Sequence, residues 1–381
     1  MSGWTTKKLG EIGTIVRGKG IRRSETISKG MPCIRYGEIY TSYDILLDEP
    51  HSFVAKEIFD ACPHIKHGDV VFTLTGENKE EIAKTLAYLG NEEIAAGGDL
   101  AIWKGHGFNA KFLAYVMNSP QLLKAKALAS NGDIIVHASL KKMAEIPIPI
   151  PPLAEQKRIV AKIDAAFEKI DRLKANAEKN LANAKELFQS ALDEAMRPKK
   201  GWVEKRLPDI SENNDSKRVP ITKNQREPGS IPYYGASGIV DYVKDYIFDG
   251  EYLLVSEDGA NLESRTYPIA FPITGKSWVN NHAHILEFKN GDVQAYVEFY
   301  LNAISLKDFI TGTAQPKLTQ ENLNKIPIHL PSDHAKLSEI VRRLKLIKVK
   351  LETLQQNYAR QIADCAEMRQ AILREAFEGR L

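Results

Sequence analysis

The sequence predicts an α+β protein made of two copies of one module, each a globular part with short strands and turns followed by a long helix. Three observations support this prediction: segments that recur in order, short β-type runs in both globular parts, and two long helical patterns. The chain has 381 residues, more than one ordinary domain contains, so two or more units are expected.

Matching segments recur in the same order in the two halves of the chain. GWTTKKLGEI (residues 3–12) matches GWVEKRLPDI (201–210), IRYGEI (34–39) aligns with PYYGAS (232–237), and ALDEAM (191–196) matches ILREAF (372–377). IPIPIPPLAEQKRIV (146–160) has a weaker copy, IPIHLPSDHAKLSEIV (326–341). A period this long indicates a duplicated domain and not a solenoid. The predicted division is a globular part at 1–150, a helix at 151–200, a second globular part at 201–330 and a second helix at 331–381.

Short β-type runs predominate in both globular parts. They include EIGTIV, DVVFTL and DLAIW in the first and EYLLV and AHILEF in the second, separated by Gly, Pro, Asn and Asp. One helix is predicted in each part, near 109–129 and 293–306. The pattern favours a strongly curved sheet with many turns.

Two long helices are predicted at Leu153–Met196 and 333–377. In the first, apolar or small residues recur at steps of three and four: Val160, Ile163, Phe167, Ile170, Leu173, Ala177, Leu181, Ala184, Phe188 and Ala191. The second has an equivalent series: Leu337, Val341, Leu344, Ile347, Leu351, Leu354, Tyr358, Ile362, Cys365 and Ile372. Neither narrow stripe would stabilise a lone helix in water. We therefore expect the helices to pair as an antiparallel coiled coil with pseudo-twofold symmetry and a globular part at each end. Two separate helical tails that bind other proteins are the alternative.

The Ile-Pro run predicts a stiff joint between the first globular part and its helix. Pro147, Pro149 and Pro151 fix φ and disfavour helix at the residues before them, so the chain should leave the globular part extended. Pro152 suits the first helical turn and Glu155 suits the helix dipole. The second copy keeps only Pro327 and Pro331, so that joint should be the softer one.

Composition places the chain among ordinary globular proteins. Net charge is +3 with a pI near 8.5, which permits a nucleic-acid partner without requiring one. The three cysteines are too few and too scattered for a disulfide framework. No apolar run is long enough to cross a membrane, and the N-terminus lacks the apolar core of a secretory signal. A cytoplasmic location is expected.

Four segments carry a resemblance to a known family. IPIPIPPLAEQKRIVAKID, IPYYGASGIVDYV, TGTAQPKLTQENLNKIPI and ILREAFEGRL resemble segments of the specificity subunit of type I restriction-modification enzymes, and the resemblance covers the whole chain. It implies that the globular parts are target recognition domains, each reading one half of a split double-stranded DNA site. It further implies that the paired helices set the spacing and hold two methyltransferase subunits, which methylate the DNA. Restriction subunits would join the complex to translocate and cleave DNA in a bacterial or archaeal cytoplasm.

The same resemblance implies a non-catalytic subunit without a cofactor or a metal. The family pattern PPLxEQ is clean at 151–156, but the second copy reads PSDHAKL. The two methyltransferase contacts are therefore expected to be unequal.

DNA contacts are expected from Lys and Arg on phosphates and from polar side chains on base edges. The candidates in the first half are Arg17, Lys19, Arg22, Arg23, Arg35, Tyr36 and Lys79. Those in the second half are Lys217, Arg218, Lys223, Arg226, Tyr233, Tyr234, Ser237, Lys276, Gln315 and Lys317. The globular parts differ outside their shared framework, so the two half-sites should differ and the whole site should not be a palindrome.

Parts of the sequence also fit other functions, though less well. AFPITGKS (270–277) fits a loose P-loop, but Pro272 removes a donor and a strand-like run follows, so a turn is favoured over an ATPase site. Asp258 with Glu287 and Lys289 has the order of a metal-dependent nuclease, yet a solvated strand edge explains it better. CPHIKH (62–67) lacks a second cluster to complete a metal site, and HAH (282–284) should place one histidine on each face of a strand. A bivalent scaffold that does not bind DNA is the remaining alternative.

Overall fold

The computed structural model describes residues 4–132, 135–312 and 315–381. Gly3 of the first repeat and Thr313 and Ala314 of TGTAQP lie outside them. The chain divides into two compact units, Met1–Glu178 with Ala359–Leu381, and Lys179–Tyr358. Each unit contains one globular part and a segment of both long helices. The predicted four-part division at 150, 200 and 330 stays a prediction.

The first globular part contains fourteen short strands and five short α-helices within the described residues. The strands are β1 (Thr5–Lys8), β2 (Thr14–Arg17), β3 (Met31–Ile34), β4 (Leu46–Leu47), β5 (Ser52–Val54), β6 (His64–Ile65), β7 (Val70–Thr73), β8 (Thr75–Gly76), β9 (Thr85–Tyr88), β10 (Ile94–Ala96), β11 (Leu100–Lys104), β12 (Ser130–Asn131), β13 (Val136–Ala138) and β14 (Pro147–Ile150). The helices are α1 (Tyr36–Thr41), α2 (Lys56–Asp60), α3 (Ala110–Met117), α4 (Pro120–Leu128) and α5 (Leu140–Ala144). The single helix predicted at 109–129 is thus two helices, because Pro120 has no N–H to continue the first and suits the start of the second.

The second globular part lies between two long helices, α6 (Leu153–Met196) and α11 (His334–Phe377). Its strands are β15 (Trp202–Lys205), β16 (Glu212–Asn213), β17 (Pro228–Gly235), β18 (Gly238–Val243), β19 (Phe248–Ser256), β20 (Ala270–Val279), β21 (Ala283–Glu287) and β22 (Ile328–Pro331). Its helices are α7 (Leu207–Ile210), α8 (Asn261–Ser264), α9 (Gly291–Ala303) and α10 (Gln320–Lys325). The helix predicted at 293–306 is α9.

The main sheets of the two parts have the same topology over five strands, and the second sheet has β18 in addition. The first has the order β2-β11-β7-β9-β4 and the second the order β16-β21-β19-β20-β17-β18. In both, the first three pairings are antiparallel and the fourth is parallel. The equivalence pairs β2 with β16, β11 with β21, β7 with β19, β9 with β20 and β4 with β17. This shared topology confirms the α+β class and the duplication predicted from the sequence.

Each Ile-Pro segment forms a strand that pairs with the first strand of its own half. β14 pairs antiparallel with β1, and β22 pairs antiparallel with β15. The repeated Leu that follows the first strand is buried in both halves, at Leu9 and Leu207. An acidic residue two positions later, Glu11 or Asp209, accepts a backbone N–H three residues before it. The extended exit predicted from Pro147 and Pro149 is confirmed, and its cause is strand pairing as well as proline.

Both long helices are confirmed, and in each unit segments of the two pack together. In the first unit, Arg158 of α6 lies beside Leu381, and Asp171 binds Arg369 at 2.8 Å. One sequence number rises as the other falls, so these segments run antiparallel. In the second unit, Leu192 of α6 shares a core with Leu344 of α11. Leu173 and Leu354 of the predicted seam are instead exposed, by 55% and 40%. The expected position of a globular part at each end stays a prediction.

None of the helices in the described parts of the chain carries an apolar run suited to crossing a bilayer. Cys33, Cys62 and Cys365 are buried and free.

Candidate nucleic-acid interface

The basic turn of the first unit follows β2, where the sheet ends. Gly18 donates its N–H to the carbonyl of Leu100 at 2.8 Å, and Lys19 donates to Ala96 at 3.1 Å. A Cβ at Gly18 would lie 2.0 Å from the carbonyl oxygen of Gly97, so only glycine permits this close approach. The turn is thereby held against the sheet while its long basic side chains extend into solvent. Lys19, Arg22 and Arg23 are exposed.

A cavity of about 520 Å³ lies beside this turn and brings several predicted residues together. Its lining includes Arg23, Arg35, Tyr36, Glu38 and Asp99. Tyr36 is 41% exposed, and its ring is available to an aromatic partner. Arg35 is partly buried and binds Glu38 at 3.3 Å. The cavity therefore offers an aromatic face with donors and acceptors nearby, a combination suited to nucleobases.

Arg17 and Lys79 lie outside that lining. Arg17 ends β2 and pairs with Asp99 at 3.5 Å, both side chains being largely exposed. Such a surface pair contributes little to stability, so Arg17 can exchange it for a phosphate. Lys79 is exposed after β8.

In the second unit, Arg218 belongs to a buried ionic network. Its guanidinium lies 2.6 Å from Glu257 and 3.6 Å from Asp215. His284 has a 2.6 Å hydrogen bond from Nδ1 to Asp215 and one of 2.8 Å from Nε2 to the carbonyl of Leu318. Burial alone would raise the pKa of Asp215, but the hydrogen bond and charge of His284 hold it below its ordinary value. Arg218 is only 15% exposed, so its clearest role is to neutralise this network.

The two carboxylates and the histidine of this network have the composition of a metal site. Ligand atoms of Asp215, Glu257 and His284 lie within 4.8 Å of one another. The guanidinium of Arg218 already neutralises both carboxylates, however, and both nitrogens of His284 are hydrogen-bonded. The donor set therefore does not fit a metal ion in this arrangement, and we derive no chemistry from one.

Arg226 is also used within the protein. It is 19% exposed, binds Asp241 at 3.1 Å, and lies over the ring of Tyr233 at 4.3 Å. Tyr233 itself is 1% exposed. Direct DNA contact by Arg226 and Tyr233 stays a prediction that their burial does not favour. Lys217 and Lys223, from the same segment, are exposed and suited to phosphates.

The other candidates of the second half lie on the sheet and at one end of it. Tyr234 is half-buried in β17, and Lys276 of β20 is exposed with its ammonium 4.4 Å from the ring centre of Tyr246. Ser237, Gln315 and Lys317 are exposed in turns at the end of the sheet. Lys317 pairs with Thr311 and Asp258 in β-bridges and binds Glu257 at 3.3 Å.

The corresponding turn of the first unit contains a residue that sequence reasoning missed. His137 in β13 pairs with Thr75 just after β7, as Lys317 pairs with Asp258 just after β19. The segments NGDIIVHASL (131–140) and TGTAQPKLTQ (311–320) align through this shared pairing. The repeat, extended into these turns, would have identified His137 as a candidate.

The structure argues against both enzymatic alternatives. AFPITGKS lies within β20, a continuous strand, so it forms no phosphate-binding loop before a helix. Asp258 and Glu287 flank opposite ends of the pairing between β19 and β21, in which Ser256 faces Ala283. Four residue steps along a strand separate them by at least roughly 13 Å, too far to share one metal ion.

The histidines of CPHIKH have partners within the protein, whereas the two of HAH differ in exposure. In CPHIKH, His64 binds Glu93 at 2.9 Å, and His67 binds the carbonyl of Leu89 at 3.1 Å. For HAH, the prediction of one histidine on each face of a strand is wrong, because exposed His282 lies in the turn before β21 and only buried His284 lies in the strand.

The chain matches known proteins along nearly its whole length. Residues 1–182 and 199–359 each match the family model of the type I restriction modification DNA specificity domain. A putative type I restriction enzyme specificity subunit from Haemophilus influenzae is 38% identical over 33% of this chain. A putative type I specificity subunit from Mycoplasma pneumoniae is 26% identical over 50%, and the EcoKI specificity subunit from Escherichia coli is 24% identical over 52%. The matches span 32%, 78% and 43% of those relatives' own lengths.

Solved structures share the fold over the whole chain. A chain solved in work on complex assembly and conformational transition of the type I restriction-modification system has a TM-score of 0.77 at 19% identity, with 100% of this chain and 99% of that one covered. The crystal structure of the HsdS subunit from Thermoanaerobacter tengcongensis has a TM-score of 0.57 at 19% identity, with 100% and 98% covered. The relatives are named as specificity subunits, which supports the prediction of a specificity component and not an enzyme. Since the family model matches both halves, this chain belongs to the type I restriction-modification DNA specificity family.

Proposed function

We propose that this chain is the DNA-specificity subunit of a type I restriction-modification complex. Each globular part reads one half of a split, asymmetric site on double-stranded DNA. The chain itself performs no chemistry. It directs methyltransferase subunits, two by expectation, and restriction subunits that translocate and cleave, in a bacterial or archaeal cytoplasm.

One observation carries this proposal: the two sheets have the same topology but present different side chains at the same end. After β2 the first unit presents a turn with exposed Lys19, Arg22 and Arg23. At the equivalent place after β16, the second unit has Arg218 in an internal network. A shared framework with different exposed groups suits two related modules that read different bases. This difference supports an asymmetric site.

The long helices are proposed to set the distance between the half-sites and to dock the methyltransferase subunits. Two recognition modules at a fixed separation select a fixed spacing on DNA. We propose the functional division as a first target recognition domain at 1–150, a spacer helix at 151–200, a second recognition domain at 201–330 and a second spacer helix at 331–381. The joints differ, since Glu155 occupies the first turn of α6, whereas Asp333 caps α11 by accepting the N–H of Ala335 at 2.9 Å. This difference supports unequal methyltransferase contacts.

The test is to purify the chain with its cognate methyltransferase subunit and to map adenine methylation across a genome. We expect one bipartite, asymmetric motif. A matched pair of variants assigns each globular part to a half-site. Arg23→Ala should change the efficiency of methylation by altering recognition of the first half-site, and Lys223→Ala should do so by altering recognition of the second. A folded complex that methylates DNA without a bipartite motif, or that methylates none, would overturn the proposal.

A further inference from the structure

His282 and Asp258 form a hydrogen-bonded pair at the end of the second sheet. Nδ1 of His282 lies 2.9 Å and 2.8 Å from the two carboxylate oxygens of Asp258. The imidazole is 47% exposed, while the carboxylate is only 17% exposed. The pair therefore has a sheltered acidic partner and an imidazole that faces solvent.

The backbone around His282 is fixed on both sides. Its N–H donates to Oδ1 of Asn280 at 2.8 Å, and Asn280 is 7% exposed. Its carbonyl accepts the N–H of Glu257 at 2.9 Å. With both backbone and ring held, the imidazole loses little conformational freedom when it binds a ligand. Such preorganisation is what a selective hydrogen bond requires.

The tautomer of the neutral ring follows from its partner. An ionised carboxylate only accepts hydrogen bonds, so Nδ1–H of His282 is the donor to Asp258. In the neutral imidazole, Nε2 is then an acceptor. Among the described residues, no group binds Nε2, which leaves an oriented acceptor at the protein surface.

His282 lies between two predicted DNA-contacting turns. On one side, Asp258 forms a β-bridge with Lys317, and Gly259 donates to the carbonyl of Pro316 at 3.0 Å. On the other side, Asn280 donates to the carbonyl of Tyr234 at 3.0 Å, just before the turn that carries Ser237. DNA that contacts both turns would pass over the imidazole.

We propose that His282 determines specificity in the second half by accepting a hydrogen bond from an exocyclic amino group of adenine or cytosine in the major groove, with Asp258 as its positioning residue. This inference rests on the proposed function. Adenine N6 and cytosine N4 are the amino donors displayed there, and guanine and thymine present acceptors at the equivalent places. The nearby carboxylates of Asp258 and Glu257 make this point a poor phosphate site, because they repel a phosphate. The remaining charged neighbours, Lys317 and Arg218, are themselves paired with Glu257.

The experiment uses the complex of the full chain with its methyltransferase subunit. The variants are His282→Ala, His282→Gln, His282→Lys and Asp258→Asn. The matched control is His329→Ala, because His329 also pairs with a carboxylate, Glu204 at 3.4 Å, but lies on β22. Methylation motifs are mapped, and duplex affinity is measured at several salt concentrations with each base of the second half-site changed in turn.

His282→Ala should relax selection at one adenine or cytosine of that half-site. Cognate affinity should fall by about tenfold, as expected when one hydrogen bond to a base is removed. The salt slope and the other half-site should stay as in the wild type. His282→Gln retains an acceptor and should restore part of the selection, whereas His282→Lys has only donors and should not. Asp258→Asn should weaken selection in the same direction and to a smaller extent, and His329→Ala should leave selection intact.

Unchanged selection in His282→Ala would overturn the inference. So would uniform loss of affinity with a shallower salt slope, which indicates binding to a phosphate. Thermal unfolding of each complex identifies a variant that fails to fold, and His282→Gln then serves as the informative comparison. If the wild-type complex yields a bipartite motif and the His282 variants do not alter it, this inference alone fails. If the wild type yields no such motif, the proposed function fails first.

Discussion

The two globular parts share one sheet topology but differ in the arginines of the segment that follows the first strand of that sheet, β2 or β16. In the first, Arg22 and Arg23 extend into solvent, and no side-chain ion pair to them occurs among the described residues. In the second, Arg218 and Arg226 are 15% and 19% exposed and pair with Glu257 and Asp241. An arginine on a recognition module is thus not a DNA contact by type alone. An arginine that is already bound to a carboxylate of the protein has a structural role, whereas an arginine without such a partner is available to DNA.

The largest expected effect tests the structural arginine. Arg218→Ala leaves Asp215 and Glu257 near His284 without their guanidinium. Removing one partner from a buried ionic group should lower the free energy of unfolding of the second unit by about 3–5 kcal/mol. Denaturant unfolding measures this change. Arg23→Ala is the matched control, and a change within about 0.5 kcal/mol is expected for an exposed side chain. Equal changes in the free energy of unfolding for the two variants would contradict the distinction between a structural Arg218 and an exposed Arg23.

The first unit contains a buried base, and this predicts a rise in its stability with pH. Burial lowers the pKa of Lys126 to about 7 from the ordinary 10.5. Between these values the unfolded chain binds a proton that the folded chain does not, so the free energy of unfolding should rise with pH, by a few kcal/mol as an order of magnitude. Unfolding measured from pH 7 to pH 10 tests this. Lys126→Met should remove most of the slope, whereas Lys124→Met, at an exposed neighbour, should retain it.

The first turns of the two long helices differ at one buried position, which is Gln156 in α6 and Leu337 in α11. Gln156 accepts the N–H of Asn109 at 2.9 Å and donates to the carbonyl of Pro151 at 2.9 Å. Gln156→Leu leaves both groups without partners, so a loss of about 1–3 kcal/mol in unfolding free energy is expected. Lys157→Leu, one residue further and exposed, is the control. An unchanged denaturant midpoint for Gln156→Leu would show that the joint does not depend on these bonds.

The salt dependence of DNA affinity should show that the exposed basic turn binds phosphates and that other exposed basic residues do not. Replacing Lys19, Arg22 and Arg23 together by alanine should reduce the slope of log affinity against log salt by about 0.9 for each phosphate that the variant no longer binds. Titrations of the complex at several salt concentrations measure the slope. Lys56→Ala on α2, which removes an exposed pair with Asp60, should leave it unchanged. A triple variant with the wild-type slope would exclude this turn from the interface.

The smallest expected effect concerns half-site spacing. Glycine at Pro147, Pro149 and Pro151 should widen the range of spacer lengths that the complex methylates, because the joint loses its fixed φ angles. Glycine at Pro327 and Pro331 should widen it less, since that joint has fewer prolines to lose. Methylation of duplexes with one added or removed base pair between the half-sites tests both variants. If the first variant tolerated no wider range of spacer lengths, the Ile-Pro run would mark a domain boundary without restricting the half-site spacing.

The repeated framework could be predicted from sequence because local rules determine it. Leu9 and Leu207 are buried after equivalent strands, and the acidic residue that follows each of them caps a backbone N–H. The uninterrupted apolar periodicity likewise defined both long helices. The prediction of a single helix at 109–129 followed the apolar periodicity. It missed Pro120, which the sequence already contained as a signal for the start of a second helix.

The candidate site was less predictable, because its chemistry depends on distant partners. Arg218 binds Glu257, and His282 binds Asp258, across strand pairings that no spacing rule gives. Arg218 and Lys217 are adjacent basic residues in the sequence, yet one is enclosed and the other exposed. The pairing of Lys317 with Asp258, which identifies the equivalent His137, became visible only with the sheet register.

The core of the first unit includes side chains from the last residues of the chain. Leu373, Ala376 and Phe377 belong to the same buried cluster as Phe112, and the rings of Phe112 and Phe377 are 5.6 Å apart. During synthesis, the first globular part therefore leaves the ribosome before residues 359–381, which contribute to its core. Until residues 359–381 arrive, it exposes an apolar surface to solvent, which favours aggregation of intermediates. Folding of the first unit should accordingly depend on synthesis of the C-terminal half of α11.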